Sequence, residues 1–318
     1  MKNRILIASA GTAAAWQIVT TISEKFRDFF EVLVCDINPS YLIPASTLAA
    51  KFIQVPRIVD DGYYDFMINV MLEERVNIFV PIIDHDLFLF PRDSEFFAKS
   101  GIFSSAPVTS AVEIVRSKRK LGEYLKNKGI PVPDNPSKEE IKEKRKYFLK
   151  PDKEYGGSKG ARVISGKEAR RLIADENYLI QEVCEMPEVT AEVFSRHGDL
   201  FTLSRERIES KAGVCTKARI FRDLGLEEIV NNIGQVISLP EASCMQFMKR
   251  KETREWVTTD INLRLGAGTG ISSKVGWDLT CAAISEWAGG LVSNPLIYLN
   301  SMDEEHIVVR VFKEIIMR

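Results

Sequence analysis

Three polar side chains alternate with branched apolar ones in the segment WVTTDINLRLGAGTG, residues 256–270. In chain order the alternating residues are Asp260, Ile261, Asn262, Leu263, Arg264 and Leu265. Because alternate residues of a strand share a face, one face should be apolar and the other should carry an anion, an amide and a cation. Carboxylate and amide oxygens suit magnesium, and an arginine beside them can bind a phosphoryl or carboxylate group. A solvated face whose charges pair with one another would explain the same pattern.

A glutamine on the preceding predicted strand adds an oxygen ligand to this set. The strands predicted at residues 243–249 and 255–263 are joined by a charged turn that suits an antiparallel pair. Gln246, Asp260 and Asn262 would then lie close together on one face. One carboxylate and two amides form a modest cage, which fits magnesium when phosphate groups supply the remaining negative charge. These three residues are therefore the candidate metal ligands.

A lysine followed by a glycine-rich loop occurs in FLKPDKEYGGSKGARVI, residues 148–164. The lysine ends a predicted strand, and the loop glycines leave backbone N–H groups unobstructed, as a phosphate chain requires. The loop does not have the Walker spacing of a P-loop. It predicts either a flap over phosphates or a plain glycine-rich hairpin. The candidate nucleotide contacts are Lys150, Gly156, Gly157, Ser158, Lys159 and Gly160.

A possible hinge follows in YLIQEVCEMPEVTAEV, residues 178–193. A strand ends at Gln181 and Glu182, a short linker begins at Val183, and Glu188 opens the next strand. Main-chain groups of such a hinge can receive an adenine base, and a carboxylate a few residues later can accept hydrogen bonds from ribose hydroxyls. Exposed glutamates around an ordinary turn are the alternative interpretation.

The composition restricts the class of protein. The 318 residues allow two or three domains, and the balance of 43 basic against 44 acidic side chains argues against a general nucleic-acid binder. No apolar run approaches the roughly 18 residues of a membrane span, so no membrane partner is expected. The five scattered cysteines indicate reduced thiols and a cytoplasmic location. The three histidines lack the spacing of a zinc or Ser-His-Asp site.

Residues 1–108 alternate strand and helix signals, with helices predicted at residues 12–26, 63–74 and 87–98. Repeated β-α units predict a doubly wound parallel sheet. Gly11 lies in SAGTAAA, outside a G-x-G-x-x-G frame, so a nicotinamide-binding site is only weakly indicated. Asp36 is better interpreted as a polar residue that ends a strand than as a ribose ligand.

The rest of the chain has an α+β pattern, which predicts a small lobe at residues 109–187 and a larger one at residues 188–318. Helices are expected at residues 117–127, 138–146, 167–174, 224–237 and 274–287, the second of them as a solvated charge run. Strands at residues 189–195 and 200–208 should form a hairpin through the turn at residues 197–199.

The order of these stretches resembles the ATP-grasp superfamily, and most closely the carbamoyl-phosphate synthase large subunit and its stand-alone relatives. The likeness lies in the strand-ending Lys150, the glycine flap, the Gln-Glu hinge, and a glutamine fourteen residues before acid-x-Asn-x-Arg. It implies a pre-ATP-grasp α/β domain followed by two lobes that bind Mg-ATP. It also implies that ATP activates a carboxylate as an acylphosphate, from which an amine or similar nucleophile displaces phosphate.

The resemblance assigns further residues. It implies phosphate contacts for Lys118 and catalytic roles for Arg264 and Asn262, and the GAGTG loop at residues 266–270 would place the acceptor carboxylate at a helix N-terminus. Three cations of SRERIESKAG could approach phosphates or acceptor, or lie on a solvated face: Arg205, Arg207 and Lys211.

Two positions depart from the family pattern. Asp260 stands where the relatives usually have glutamate, and Leu263 where they usually have proline or a small residue. These departures keep open a catalytically degenerate, nucleotide-binding regulatory protein. Without a glutaminase segment or a second ATP-grasp copy, carbamoyl-phosphate synthesis itself is not expected. The expected partners are small-molecule carboxylate and amine substrates, with a homodimer as the default assembly.

Overall fold

The computed structural model describes residues 2–153, 160–211, 213–290, 294–311 and 313–317. A five-stranded sheet forms the N-terminal part, with every neighbouring pair parallel and the order β3-β2-β1-β4-β5. Its strands are β1 (Asn3–Ile7), β2 (Phe30–Asp36), β3 (Lys51–Gln54), β4 (Ile78–Val80) and β5 (Phe103–Ser104). Its helices are α1 (Ala13–Lys25), α2 (Tyr63–Glu73), α3 (Asp84–Leu89) and α4 (Glu95–Ser100). The predicted doubly wound parallel sheet is therefore confirmed.

Buried residues of β1 divide between two apolar clusters, one on each face of this sheet. Ile5 and Ile7 pack with α1, whereas Leu6 packs with α2. The strand order changes direction between β1 and β4, and ligands of open α/β sheets bind at the carboxyl edge of that point. The loops that follow these two strands therefore lie at the edge where folds of this kind bind ligands.

Two helix predictions in the first half of the chain are wrong. The helix predicted at residues 87–98 is split into α3 and α4, because Pro91 lacks the N–H that a continuous helix needs. The charge run at residues 138–146 forms turns, and a strand begins at its last residue. Its lysines and glutamates are almost all exposed and have no apolar stripe to dock a helix, so solvation does not require one.

Two short helices connect the first sheet to a small antiparallel sheet. They are α5 (Thr109–Val115) and α6 (Lys118–Asn127). The sheet has the order β7-β6-β8, from β6 (Lys146–Pro151), β7 (Arg162–Ser165) and β8 (Tyr178–Glu182), and α7 (Gly166–Leu172) packs on it. Its core is small and includes Tyr147, Leu149 and Ile180.

A six-stranded antiparallel sheet forms the last part, with the order β13-β12-β9-β10-β11-β14. Its strands are β9 (Glu185–Arg196), β10 (Asp199–Lys211), β11 (Val214–Phe221), β12 (Ala242–Lys249), β13 (Trp256–Asn262) and β14 (His306–Val309). The remaining helices are α8 (Leu224–Val236), α9 (Thr269–Ser272) and α10 (Leu279–Trp287). Val189, Ala191 and Val193 of β9 pack toward α8. The alternate residues of β9 must then point to the opposite face.

The structure differs from the sequence-based expectation at three further elements. The helix predicted at residues 274–287 begins only at Leu279, because Gly276 has a left-handed φ of 89° and the Asp278 side chain caps the first turn. Strands β11 and β14 were not predicted; β14 is a four-residue edge strand whose partner lies far earlier in the chain. None of the described helices is both long and apolar enough to cross a membrane, and all five cysteines are unpaired.

Candidate functional site

The register of four strands places four polar residues in one row. Asp260 of β13 lies opposite Gln246 of β12, which lies opposite Thr190 of β9, which lies opposite Arg205 of β10. Directly paired residues of an antiparallel sheet point to the same side. The structure therefore brings Asp260 and Gln246 together on a polar face of the sheet, and Arg205 ends the same row.

A bulge bends β13 next to this row. Gln246 pairs with Asp260, but the next residue of β12 pairs with Thr258, so Thr259 is an extra residue. The Thr259 carbonyl accepts a hydrogen bond from Lys150 Nζ at 2.9 Å. The bulge thus points a main-chain oxygen of the large sheet at Lys150 near the end of β6, and this contact joins the small sheet to the large one.

Lys118 occupies the first position of α6 and reaches the polar row. Its Nζ donates to Asp260 Oδ2 at 2.9 Å, and both side chains are largely buried. The α6 N-terminus is held by Asp152, whose carboxylate accepts from Ser117 Oγ at 2.9 and 3.0 Å and from the Arg119 N–H at 2.8 Å. Because Asp152 follows β6 directly, it links the position of Lys118 to that of the Lys150 strand.

Arg264 lies just after β13 and beside Asn262. Its Nη2 donates to Asn262 Oδ1 at 3.5 Å, and its Nε donates to Asp84 Oδ1 at 2.9 Å. Asp84 is the first residue of α3 and follows β4 at the carboxyl edge of the parallel sheet. Sequence reasoning missed Asp84, although an acidic residue at a helix start after a buried strand is a recognisable signal at such an edge.

A cavity of about 370 Å³ joins most of the predicted nucleotide contacts. Its lining combines the hinge, the small sheet and the polar row, and it includes Lys118, Lys150, Gln181, Glu182, Val183, Glu188, Gln246 and Asp260. Apolar side chains complete the walls, among them Phe148, Val163, Met186 and Met248. An apolar slot with cations at one end has the character that a purine nucleotide requires.

The hinge side chains are engaged with the protein itself. Glu182 Oε1 accepts from the Asp134 N–H at 2.9 Å and from Arg250 Nε at 3.0 Å, and Gln181 Nε2 donates to Asn135 Oδ1 at 3.0 Å. These contacts hold the linker between β8 and β9 in place. For an adenine base, the hinge therefore has mainly the main-chain groups of the residues that follow β8.

Glu188 is paired with Arg207 across β9 and β10. Arg207 also donates to the Gly213 carbonyl at 3.0 Å. Arg205 and Arg207 both line a second cavity, but Lys211 does not: its ammonium is exposed and lies 3.7 Å from Glu209. Lys211 is therefore not part of the candidate site.

The second cavity adjoins the first and has a volume of about 230 Å³. Three residues line both: Lys118, Gln246 and Asp260. The second adds Arg205, Asn262, Arg264 and the loop from Gly266 to Gly268. A helix N-terminus was expected after this loop to place the acceptor carboxylate. The helix that follows, α9, has only four residues and no side-chain cap, so it is too short to act as an anion site.

Part of the predicted flap cannot be placed. Gly156, Gly157, Ser158 and Lys159 lie outside the described residues. Gly160 is described and has a left-handed φ of 93° close to Pro151, a conformation that favours glycine. It lines neither cavity.

The donor set of the polar row fits a metal ion only together with an anionic ligand. Asp260 is its one carboxylate, Gln246 and Asn262 add amides, and Lys118 already balances the aspartate. Within the described ranges no group of three or more His, Cys, Asp and Glu side chains could hold a metal. Magnesium keeps such a small set of protein ligands when phosphate oxygens complete its shell.

Three other features do not carry the chemistry. A third cavity, about 990 Å³, is lined by α5, α6 and the start of β8 and contains no residue of the polar row. Burial beside Glu192 raises the pKa of the Cys244 thiol to about 12, against the opposing effect of Arg205, so this thiol stays protonated. Asp36 accepts from the Gly11 N–H at 2.8 Å and from the Asn38 N–H at 2.9 Å, which is a structural use of that carboxylate.

Two family models match separate parts of the chain. Residues 115–266 match the ATP-grasp domain family, and residues 5–104 match the PylC-like, N-terminal domain family. No curated protein matches the chain in sequence.

Solved structures with a similar fold include three bacterial proteins. Pyruvate carboxylase of Rhizobium etli has a TM-score of 0.73 at 15% identity over 96% of this chain, which spans only 31% of that larger protein. The biotin carboxylase domain of Hydrogenobacter thermophilus 2-oxoglutarate carboxylase, solved with MgADP and bicarbonate, has a TM-score of 0.73 at 16% identity, covering 96% of this chain and 74% of that one. The L-amino acid ligase of Bacillus licheniformis has a TM-score of 0.68 at 11% identity, covering 92% and 75%. At these identities the likeness shows a shared fold.

Proposed function

Because this chain carries an ATP-grasp domain at residues 115–266 behind a PylC-like N-terminal domain, we propose that it is an ATP-dependent ligase that joins a carboxylate to an amine or a similar nucleophile. The observation that carries the proposal is the wall between the two cavities. Lys118, Gln246 and Asp260 line both, so a nucleotide in the larger cavity would direct its terminal phosphate toward a substrate in the smaller one.

The nucleotide has a defined place in this proposal. The base occupies the apolar end near Phe148 and Met248 and reaches the main chain after Glu182. Glu188 accepts from the ribose hydroxyls, in exchange for part of its contact with Arg207. Lys118 and Lys150 neutralise the phosphates, because phosphoryl transfer depends more on charge and position than on covalent help from the protein.

Magnesium would be held by Asp260, with Gln246 and Asn262 beside it, and would neutralise part of the charge of the nucleotide phosphates. The chain's own task is to keep these oxygens on one face, which the paired strands β12 and β13 do. Lys118 is the residue that must adjust, since its ammonium donates to the Asp260 carboxylate.

The reaction that follows from this arrangement has two steps. A carboxylate oxygen of the acid substrate attacks the γ-phosphorus, and the bond from that phosphorus to the bridging oxygen breaks to release ADP. The amine nitrogen then attacks the carbonyl carbon of the acylphosphate, phosphate leaves, and the nitrogen loses a proton. Arg264 orients the acceptor carboxylate, since its guanidinium lies between Asn262 and Asp84.

The names of the structural neighbours support this class of chemistry. The Hydrogenobacter domain was solved with MgADP and bicarbonate, and the Bacillus protein is an amino acid ligase. The first was thus solved with a small oxyanion together with its nucleotide, and the second is named for joining amino acids. For this chain we propose only the class of substrates, which is Mg-ATP, a small carboxylate and a nucleophile.

ADP release is the test of the proposed function. The full chain is incubated with Mg-ATP and a panel of acid and amine pairs, and ADP is measured with a coupled assay. We expect release that requires magnesium and both substrates, and its loss in Asp260→Ala. Asp199→Ala, at the exposed β9–β10 turn, is the control with an aspartate removed elsewhere in the same sheet.

A nucleotide-binding regulatory protein without catalysis is the competing function. The reason to consider this function is that Asp260 stands where the relatives usually have glutamate and that Asp260 is paired with Lys118. Binding of Mg-ATP without ADP release across the whole panel would favour it. Failure of the chain to bind Mg-ATP would contradict both functions.

A further inference from the structure

Arg205 is buried in the wall of the smaller cavity and has donors that the protein does not use. Only 3% of the residue is exposed. Its Nε donates to Glu192 Oε1 at 2.9 Å, and Glu192 is fully buried. Among the described residues, none accepts a hydrogen bond from either of its terminal nitrogens. Since those nitrogens border the cavity, they present the planar edge with which arginine binds an anion in bidentate fashion.

The other cations of this cavity already have acceptors. Lys118 donates to Asp260, Arg264 donates to Asp84, and Arg207 donates to Glu188 and to the Gly213 carbonyl. Arg205 differs because its single ion pair uses Nε and leaves the far edge of the guanidinium for a ligand. Burial opposes the charge of Arg205, but the Glu192 carboxylate outweighs burial and keeps the pKa of Arg205 above its ordinary value.

The loop around Gly268 fixes this edge in position. A side-chain carbon on Gly268 would lie only 2.1 Å from Arg205 Nη2, so the guanidinium packs directly on the glycine. On the far side of the same loop, Arg310 Nη2 donates to the Ala267 carbonyl at 2.7 Å. The Arg205 guanidinium is therefore packed against a loop that Arg310 also contacts.

The place of Arg205 in the sheet separates it from the phosphates. It stands three strands from Asp260 in the same row, which corresponds to about 14 Å between the two Cα atoms. A ligand group at Arg205 is thus a different group from the one that reacts beside Asp260. The Glu192–Arg205 pair has no net charge, so it suits a monoanion such as a carboxylate better than a phosphate dianion.

Resting on the proposed ligase function, we propose that Arg205 determines specificity by binding a second, non-reacting carboxylate of the acid substrate. The acid substrate is then a small dicarboxylate. One carboxylate lies beside Arg264 and is phosphorylated, and the other is held by the two terminal nitrogens of Arg205. The cavity volume of about 230 Å³ is that of a compact molecule rather than of a peptide.

The test compares two series of probes by calorimetric titration into the full chain, saturated with magnesium and a non-hydrolysable ATP analogue. The probes are the dicarboxylates succinate, glutarate and adipate, and the monocarboxylates butyrate, valerate and hexanoate. We expect at least one dicarboxylate to bind about tenfold or more tightly than the monocarboxylate of similar length, as a charge-assisted bidentate contact requires.

Three variants assign that preference to Arg205. Arg205→Lys keeps a charge for Glu192 but loses the planar edge, and we expect it to lose the preference for dicarboxylates. The double variant Arg205→Met with Glu192→Gln removes both buried charges together, in case a single loss prevents folding. Arg219→Met is the control, because Arg219 lies on the opposite face of the same sheet and pairs with Glu206.

The outcomes are distinct. Equal binding of the two series, an unchanged preference in both Arg205 variants, or tighter binding of inorganic phosphate or of an amino acid than of every dicarboxylate would overturn the role of Arg205. So would the failure of every dicarboxylate to bind. Two measurements made first show whether the proposed ligase function fails instead: binding of the ATP analogue alone, and release of ADP from Mg-ATP across the panel of acid and amine pairs.

Discussion

Lys118 and Asp260 are 142 residues apart in the chain, and Lys118 Nζ donates to Asp260 Oδ2 at 2.9 Å. This contact joins the first turn of α6 to the end of β13, and it lies in the wall that the two cavities share. Under the proposed function this pair would separate on binding: Lys118 would contact the nucleotide phosphates, and Asp260 would be left to hold magnesium.

Asp260→Asn tests that role of Asp260. We expect ADP release to fall roughly 100-fold, similar to the loss of one preorganised electrostatic group, and the magnesium concentration for half-maximal rate to rise. The variant should lose only about 1 kcal/mol or less of unfolding free energy, because asparagine keeps an acceptor oxygen for Lys118 and the two side chains still have 17% and 23% of their surface exposed. Magnesium titrations of the rate and urea unfolding check the two parts. Asp260→Glu restores the residue usual in the relatives and should remain active; an inactive Glu variant would contradict the proposed metal role.

Lys150→Met tests the phosphate contact from the small sheet. Only 8% of Lys150 is exposed, and its ammonium lies at the cavity end nearest the polar row. We expect ATP affinity, measured by titration without acid substrate, to fall roughly tenfold or more, as for a hydrogen bond to a charged group. Lys146→Met removes an exposed lysine from the other end of the same strand and should leave the affinity unchanged. Equal effects of the two substitutions would argue against a specific phosphate contact.

Asp152→Ala tests the link between α6 and β6. The aspartate is 7% exposed and acts as an extra cap for α6 through Ser117 and Arg119. Its loss should cost about 1–2 kcal/mol of stability and raise the KM for ATP, because Lys118 is no longer held relative to Lys150. Asp152→Asn keeps an acceptor oxygen and should recover most of both effects. A normal KM for ATP in a destabilised Ala variant would limit Asp152 to a structural role.

Asp86→Asn tests a buried carboxyl beneath the carboxyl edge of the parallel sheet. Burial raises the pKa of Asp86 from its ordinary 3.8 to about 6, although Tyr63 OH and Ser9 Oγ donate to it. The native state therefore keeps this proton to higher pH than the unfolded chain, and stability is lost as pH rises from about 4 to about 6. Across this pH range the unfolding free energy falls by about 3 kcal/mol.

The asparagine variant cannot ionise, so its unfolding free energy should improve relative to the wild type between pH 4.5 and 7. Urea unfolding at several pH values measures this difference. Contributions from other carboxyl groups are common to both proteins and cancel. Parallel pH profiles of the two proteins would show that Asp86 does not carry the predicted shift.

Local patterns were sufficient for most of the elements. Alternation of apolar residues and the turn residues between them predicted β1 to β4, the β9–β10 hairpin, and the adjoining strands β12 and β13. The failures have local causes that compete with the pattern: Pro91 divides a helix, and Gly276 with Asp278 delays another. Strand β14 has no such signal, because an edge strand is defined by the partner it pairs with.

By itself, the sequence determined which residue types alternate, and therefore that Asp260 and Asn262 share a face and that Gln246 lies on a neighbouring strand. Those relations depend on strand geometry and on short loops, which act over a few residues. Only the tertiary structure decided that Lys118 meets Asp260, that Asp84 meets Arg264, and that Arg205 ends the row with two unused nitrogens. These contacts join segments far apart in the chain, and they depend on the register of four strands and on the packing of the parallel sheet against them, which no local pattern specifies.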